Sequence, residues 1–290
     1  MTSPRQIAVV SGKGGTGKTT ITTALAIMAA PVVLADADVE ASNLSLVFPG
    51  ERLVAEAFAG MPRAVIDQAR CTACGICTEV CRFGAVSTLL PGVDVPTVDA
   101  LQCEGCGVCV DACPADAIRE DPTEAGELIV TRSRLGIVVS ANLRPGEDLS
   151  GRLTTLVRQK AITHATNEPV DLILIDGPPG TGCPTIATIT GTDALIAVTE
   201  PTGAGTADLL RLIELARRFD LIPEVIINKV DLSPSGALTL ENQCADLGVA
   251  VVARLPFVSG LPRWLEKGAP LEELPDALRP LMPLADRLRN

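Results

Sequence analysis

A chain of 290 residues, 47% of them hydrophobic, is long enough to bury the α/β core of one large domain or two smaller ones. Its net charge of −11 and pI near 4.7 exclude non-specific DNA binding, which needs a basic face to neutralise phosphates. Ten cysteines, eight of them at metal-ligand intervals, in so long a chain exclude a secreted disulfide scaffold.

In chain order, Ile7–Val10 reads as a short buried strand and leads directly into Ser11-Gly-Lys-Gly-Gly-Thr-Gly-Lys-Thr-Thr20. Such a loop between strand and helix cradles phosphate, because its N–H groups converge and the helix N-terminus adds positive potential. Gly12, Gly14, Gly15 and Gly17 permit the tight path, with Thr16 and Thr20 inside the same cradle. Lys18 is expected to reach the β- and γ-phosphates and the Thr19 hydroxyl to ligate Mg²⁺. A helix over Thr19–Ala30 and a strand over Val32–Ala35 follow, the strand ending at Asp36-Ala-Asp38.

After Pro62 the β/α periodicity stops, and Cys-x2-Cys-x2-Cys-x3-Cys occurs twice, at Cys71, Cys74, Cys77, Cys81 and at Cys103, Cys106, Cys109, Cys113. Thiolates suit iron–sulfur clusters or zinc. The triplet with a fourth cysteine after three intervening residues is the spacing of bacterial two-cluster ferredoxins, whose fourth ligand serves the other cluster. The spacing therefore assigns Cys71, Cys74, Cys77 and Cys113 to one 4Fe–4S cluster, and Cys103, Cys106, Cys109 and Cys81 to a second. The copies end alike, in Cys-Arg-Phe-Gly-Ala-Val and Cys-Pro-Ala-Asp-Ala-Ile, which suggests a pseudo-twofold mini-domain of about 60 residues. Arg82 replaces the proline often found after the first repeat. Met61–Ala125 holds 4 Arg and 10 Asp or Glu, a net of −6, so a basic or neutral docking partner is expected there. Pro and Gly at 60, 62, 91 and 92 mark turns.

Glu127–Val139 reads as a hairpin and Ser150–Ala165 as a helix; strands then follow at Leu172–Ile175, Ala194–Thr199, Glu224–Asn228 and Val249–Leu255, with helices at Thr206–Phe219 and Ala237–Leu247. Strands alternating with helices argue for a parallel sheet covered on both faces. The expected organisation is one nucleotide-binding domain in two parts, 1–61 and 123–290, with a cysteine-rich insert at 62–122 after the second strand. The stretch 271–290, interrupted by Pro280 and Pro283, reads as a packed terminal helix pair rather than a membrane anchor. No signal peptide and no membrane-length apolar run is recognised, and a reducing cytoplasm is expected.

Asp176 ends an apolar strand in Leu172-Ile-Leu-Ile-Asp176-Gly-Pro-Pro-Gly-Thr-Gly182, which places a carboxylate beside the metal. Asn228-Lys-Val-Asp231 fits a base-recognition loop, with Asn228 toward the purine; this motif alone also fits GTP. His164, the single histidine, is assigned no chemistry.

Gly-Lys13-Gly-Gly-Thr-Gly-Lys18-Thr resembles the deviant phosphate loop of the MinD/ParA/nitrogenase-iron-protein class. The resemblance implies ATP, a nucleotide-dependent homodimer or a heterodimer with a paralogue, and Lys13 crossing that interface to the partner's nucleotide. It implies that Asp38 orients the attacking water. With Cys71-Thr-Ala-Cys-Gly-Ile-Cys and the Asp176 segment, the whole chain resembles MinD-superfamily P-loop ATPases carrying a two-cluster ferredoxin insert. Its expected function is coupling of nucleotide state to electron transfer toward a redox partner, without nucleic acid or membrane. A cluster carrier or assembly ATPase and a redox-sensing switch are the alternatives. Mrp-like carriers resemble the nucleotide-binding half, but their late Cys-x-x-Cys pair is absent. Cys183 follows Asp176 at the interval of a cluster ligand in the nitrogenase iron protein, so a pair of Cys183 residues near a dimer axis is a further expectation.

Overall fold

The computed structural model describes residues 3–87, 95–168 and 170–289; the turns expected at 91 and 92 lie outside them. The elements in order are β1 (Arg5–Ser11), α1 (Lys18–Ala29), β2 (Val33–Asp36), α2 (Leu44–Val47), β3 (Gly50–Ala59), β4 (Arg63–Ile66), α3 (Ile76–Val80), α4 (Val108–Asp111), β5 (Ile118–Asp121), β6 (Glu124–Ser133) and β7 (Gly136–Leu143). They continue with α5 (Ser150–Asn167), β8 (Leu172–Pro179), α6 (Cys183–Ile189), β9 (Ala194–Thr199), α7 (Gly203–Arg217), β10 (Glu224–Asn228), α8 (Pro234–Asp246), β11 (Val251–Leu255), α9 (Leu261–Glu266) and α10 (Met282–Arg289).

The chain divides into two compact units, one of Met1–Glu56, Glu127–Leu143 and Leu149–Asn290, the other of Ala57–Gly126 with Arg144–Asp148. A nine-stranded sheet has the order β11-β10-β9-β1-β8-β2-β7-β6-β3, and every pair from β11 through β7 is parallel. Strand β1 shows why. Ile7 and Val9 enter a core shared with α1 and α10, whereas Ala8 and Val10 enter a second core with α7 and α8. A strand buried on both faces reads as an unbroken apolar run. Truncating one such residue, Ile7→Ala, costs about 2–5 kcal/mol.

Two elements depart from expectation. Ten-residue β3, between the second strand and the cysteine-rich region, is not among the expected strands; its side chains are exposed almost throughout, so no alternation marks it. The C-terminal pair is one helix, α10, preceded by 3-10 turns at Leu271–Glu273 and Asp276–Leu281. Pro280 lacks the N–H that a continuous α-helix would need. Leu278, Leu281, Leu284 and Leu288 are buried in the core shared with α1. Among the described residues no helix is long and apolar enough to cross a membrane.

In the second unit, β4 pairs antiparallel with β5, with Ile66 opposite Ile118. An isolated antiparallel bridge joins Val86 to Val98. Each bridge partner lies 32 residues from its counterpart, the offset between the cysteine repeats. The crossed hydrogen bonds Asp67 N to Ala117 O and Asp99 N to Ala85 O, both 2.7 Å, keep the same offset. So do the left-handed residues Ala73 and Gly75 (φ 55° and 79°) and Gly105 and Gly107 (φ 62° and 74°). The internal repeat of the sequence is therefore a pseudo-twofold repeat of backbone.

Candidate functional site

The carboxyl ends of β1, β2, β8, β9 and β10 converge, as ligand-binding ends do in open parallel sheets. The loop after β1 needs glycine at two positions for distinct reasons. Gly17 has φ 92°, and a Cβ there would lie 2.4 Å from Asn228 Nδ2; a Cβ on Gly12 would lie 2.4 Å from Asp208 Cβ on α7. Gly14 and Gly15 have open space where a Cβ would point, although Gly15 also has positive φ (77°).

Asp176 is the hub. Lys18 Nζ donates to its Oδ1 at 3.0 Å and the Thr19 hydroxyl to its Oδ2 at 2.7 Å. The Thr22 hydroxyl stands 2.8 Å from Oδ1 and 3.0 Å from the Lys18 carbonyl. Asp36 is the register partner of Asp176 on β2. It is fully buried and accepts from the Ser42 hydroxyl and the Asn43 and Leu44 N–H groups at 2.8–2.9 Å, so it holds the loop that contains Asp38. Burial first, then the Asp176 charge, pushes Asp36 up to about 7. Burial also raises Asp38, whose Oδ2 lies 3.9 Å from Lys18 Nζ. Thr19 and these carboxylates are hard oxygen donors, a set that suits Mg²⁺.

Lys13 does not project freely. Its Nζ donates to Glu200 Oε1 at 2.5 Å and to the Thr202 hydroxyl at 3.4 Å. Glu200 Oε2 accepts from Lys229 Nζ at 2.9 Å, and Lys229 Nζ reaches the Gly15 carbonyl at 2.7 Å. Asn228 is buried and donates its Nδ2 to the Thr16 carbonyl at 2.8 Å, bracing the phosphate loop. Asp231 accepts from Phe257 N at 2.6 Å, which holds the segment after β11. That segment, 256–262, lines a cavity with Gly15, Gly17, Thr20, Asn228 and Lys229. The sequence reading missed Thr22, Glu200, Lys229 and 256–262. Only the strand-end position of Glu200 and Lys229 could have signalled them.

The second unit sets its cysteines around two cavities. One is lined by Cys71, Cys74, Cys77 and Cys113, the other by Cys81, Cys103, Cys106 and Cys109. Each wall thus takes three thiols from one repeat and the fourth from the other. Among the described residues no three His, Cys, Asp or Glu side chains converge on a metal-ion site. Backbone N–H groups of Ala73 and Ala117 donate to Cys71 Sγ and Cys113 Sγ at 3.4 and 3.3 Å. Burial raises the Cys77 and Cys109 thiols. It is also the largest influence on Cys81, but backbone hydrogen bonds at Phe83–Val86 outweigh it and bring that thiol below its ordinary range. Ala64, Cys77, Val86 and Ile118 form a buried cluster in this unit, against which Cys81, Cys103, Cys109 and Cys113 pack. Cys183 is exposed at the start of α6 and Cys244 is buried in α8.

The phosphate loop, the carboxylates on neighbouring strand ends and the parallel sheet define a P-loop nucleotide-binding protein. Residues 7–271 match the family described as the CobQ/CobB/MinD/ParA nucleotide binding domain, and the chain belongs to that family. It is 33% identical over 229 residues to the uncharacterized protein MJ0578 of Methanocaldococcus jannaschii, covering 77% of this chain and 78% of that protein. It is 26% identical over 252 residues to the uncharacterized ATP-binding protein MJ0547 of the same organism, covering 85% and 68%. The fold is similar to that of the septum site-determining protein MinD of Pyrococcus horikoshii, solved with Mg-ADP. There the TM-score is 0.56 at 19% identity, over 98% of this chain and 95% of that one.

Proposed function

We propose that this chain hydrolyses ATP and that its second unit is a ferredoxin-like domain holding two 4Fe–4S clusters, with nucleotide state governing electron transfer through them. The carrying observation is the crossing of the cysteine repeats, in which Cys113 joins Cys71, Cys74 and Cys77 around one cavity and Cys81 joins Cys103, Cys106 and Cys109 around the other. Two-cluster ferredoxin spacing demands that exchange. When bound, such clusters supply reversible one-electron transfer. The chain's own part is to hold them with eight thiols and to donate backbone N–H groups to sulfur, which tunes a cluster's potential.

ATP is supported by the ATP-binding relative and by the Mg-ADP held in the Pyrococcus horikoshii fold. In hydrolysis, water attacks the γ-phosphorus and ADP leaves. Asp38 orients the water, Lys18 offsets phosphoryl charge, and Thr19 with Asp176 holds Mg²⁺. Residues 12–20 cradle the phosphates, and Asn228 and Asp231 shape the base cavity with 256–262. Lys13 is the residue assigned to the nucleotide of a partner protomer, a second copy or a paralogue. To reach it, Lys13 must leave Glu200.

Anaerobic purification followed by iron and sulfide assay tests the reading. About eight of each per chain, with an EPR signal after reduction and hydrolysis that needs Lys18, supports it. Stoichiometric zinc without iron would overturn it.

A further inference from the structure

Helix α5 touches the segments that follow both Asp36 and Asp176. Its Thr154 hydroxyl donates to the Ala37 carbonyl at 3.1 Å, with both residues fully buried. The Ala37 N–H donates in turn to the Asp176 carbonyl at 2.8 Å. One turn earlier, a Cβ on Gly151 would stand 3.5 Å from Cys183 Cβ. One turn later, the buried Arg158 guanidinium donates to the Ala187 and Thr190 carbonyls at 2.7 Å, fixing the end of α6. Residues 151, 154 and 158 share one face of the helix.

On the other side of the same segment, Leu143 N at the end of β7 donates to the Val39 carbonyl at 2.9 Å. The carbonyls of the two residues flanking Asp38 are therefore held by Leu143 and Thr154, the two ends of residues 143–154. Between those ends lie Arg144–Asp148, which belong to the second compact unit. Within that unit Arg144 N donates to Ala125 O at 2.7 Å and Arg63 pairs with Glu147 at 2.6 Å.

We propose that residues 143–154 are the link by which nucleotide-dependent movement of the Asp38 segment reaches the second unit, with Thr154 as the positioning residue. Asp38 cannot shift without either breaking the bonds at Ala37 and Val39 or carrying both ends of this segment along. Neither nucleotide contact nor cysteine ligation is assigned to Thr154, and its hydroxyl serves only to tie the two backbones. The inference rests on the proposed function only for what the second unit carries. It needs an element that both sites bias, and 143–154 is the stretch bonded at both places.

Hydrogen exchange on the cluster-loaded full chain tests it, with saturating Mg-ADP compared with a non-hydrolysable Mg-ATP analogue. In the wild type, exchange changes at 37–39 and at 144–148 together. Thr154→Val and the smaller Thr154→Ala lose about fivefold of the response at 144–148, the worth of one hydrogen bond, and Thr154→Ser keeps it. A wild type that responds at 37–39 but not at 144–148 overturns the link without recourse to any variant. So does a Thr154→Val protein whose response at 144–148 matches the wild type. Cluster potentials measured on the same samples separate the two readings. A nucleotide shift that survives Thr154→Val refutes the link and leaves the function standing. A response at 144–148 with no nucleotide effect on either the cluster potentials or the rate of acceptor reduction refutes the function and leaves the link standing.

Discussion

Lys13 Nζ lies 2.5 Å from Glu200 Oε1, and the other oxygen of that carboxylate holds Lys229. One carboxylate therefore restrains Lys13 of the phosphate loop and Lys229 beyond β10. With Lys13 30% exposed, the pair contributes about 1 kcal/mol. Glu200→Gln is expected to release Lys13 and lower the protein concentration needed for ATP-dependent self-association by about fivefold, read by analytical ultracentrifugation. Unchanged association would remove Glu200 from this role.

The same pair has a pH signature. Burial is the largest influence on Glu200 and raises it, but the hydrogen bonds and charges of Lys13 and Lys229 together hold it below its ordinary value. A depressed folded-state carboxylate adds stability above the unfolded pKa of about 4.3 and loses it as pH falls through the lower folded value. The urea midpoint difference between wild type and Glu200→Gln is expected to be level above about pH 5 and to shrink below it.

Asp38 and Asp176 should fail differently. Asp38 makes no short bond to the phosphate loop, so Asp38→Asn is expected to keep ATP binding within a few-fold and lose about a hundredfold in hydrolysis. Asp176→Asn loosens Lys18, Thr19 and Thr22 together and should weaken Mg-ATP binding as well. Isothermal titration beside a phosphate-release assay separates the two.

Gly17→Ala puts a Cβ 2.4 Å from Asn228 Nδ2 at a φ of 92°. Left-handed backbone costs a residue with a side chain about 1–2 kcal/mol, so ATP affinity should fall by about tenfold or more. Gly14→Ala meets open space and should cost little. Comparable losses at both positions would contradict the stated role of Gly17.

The cysteine sets predict which cluster each variant harms. Cys113→Ser should disturb the cluster held by Cys71, Cys74 and Cys77, although it lies in the second repeat. Cys81→Ser should disturb the other. Each is expected to lower iron from about eight to about four per chain, with different EPR signals lost. Because the buried cluster around Ala64, Val86 and Ile118 is small and includes Cys77, removing iron with a chelator should also unfold the unit. Limited proteolysis within 57–126 reads this out.

Local signals carried much of this into the sequence. The buried runs of β1, β2 and β8 through β10 showed because both faces of each are covered. The phosphate loop showed because its residues are contiguous. The exchange of Cys81 and Cys113 was legible from spacing alone, since three intervening residues carry the fourth thiol out of its own triplet. Strand β3 was not, because an exposed stretch rich in Glu and Ala has no period of two. Glu200, Lys229 and Phe257 were not, because they meet the loop only once the sheet brings distant strand ends together. Thr154 and Ala37 are 117 residues apart in sequence.

Anaerobic potentiometric EPR, with and without Mg-ATP, probes the joining of the two chemistries directly. Nucleotide-governed electron transfer predicts that ATP moves at least one cluster potential by about 60 mV or more, a tenfold coupling for a one-electron couple, or changes the rate of reduction of an acceptor. Identical potentials and identical rates with and without Mg-ATP would contradict it.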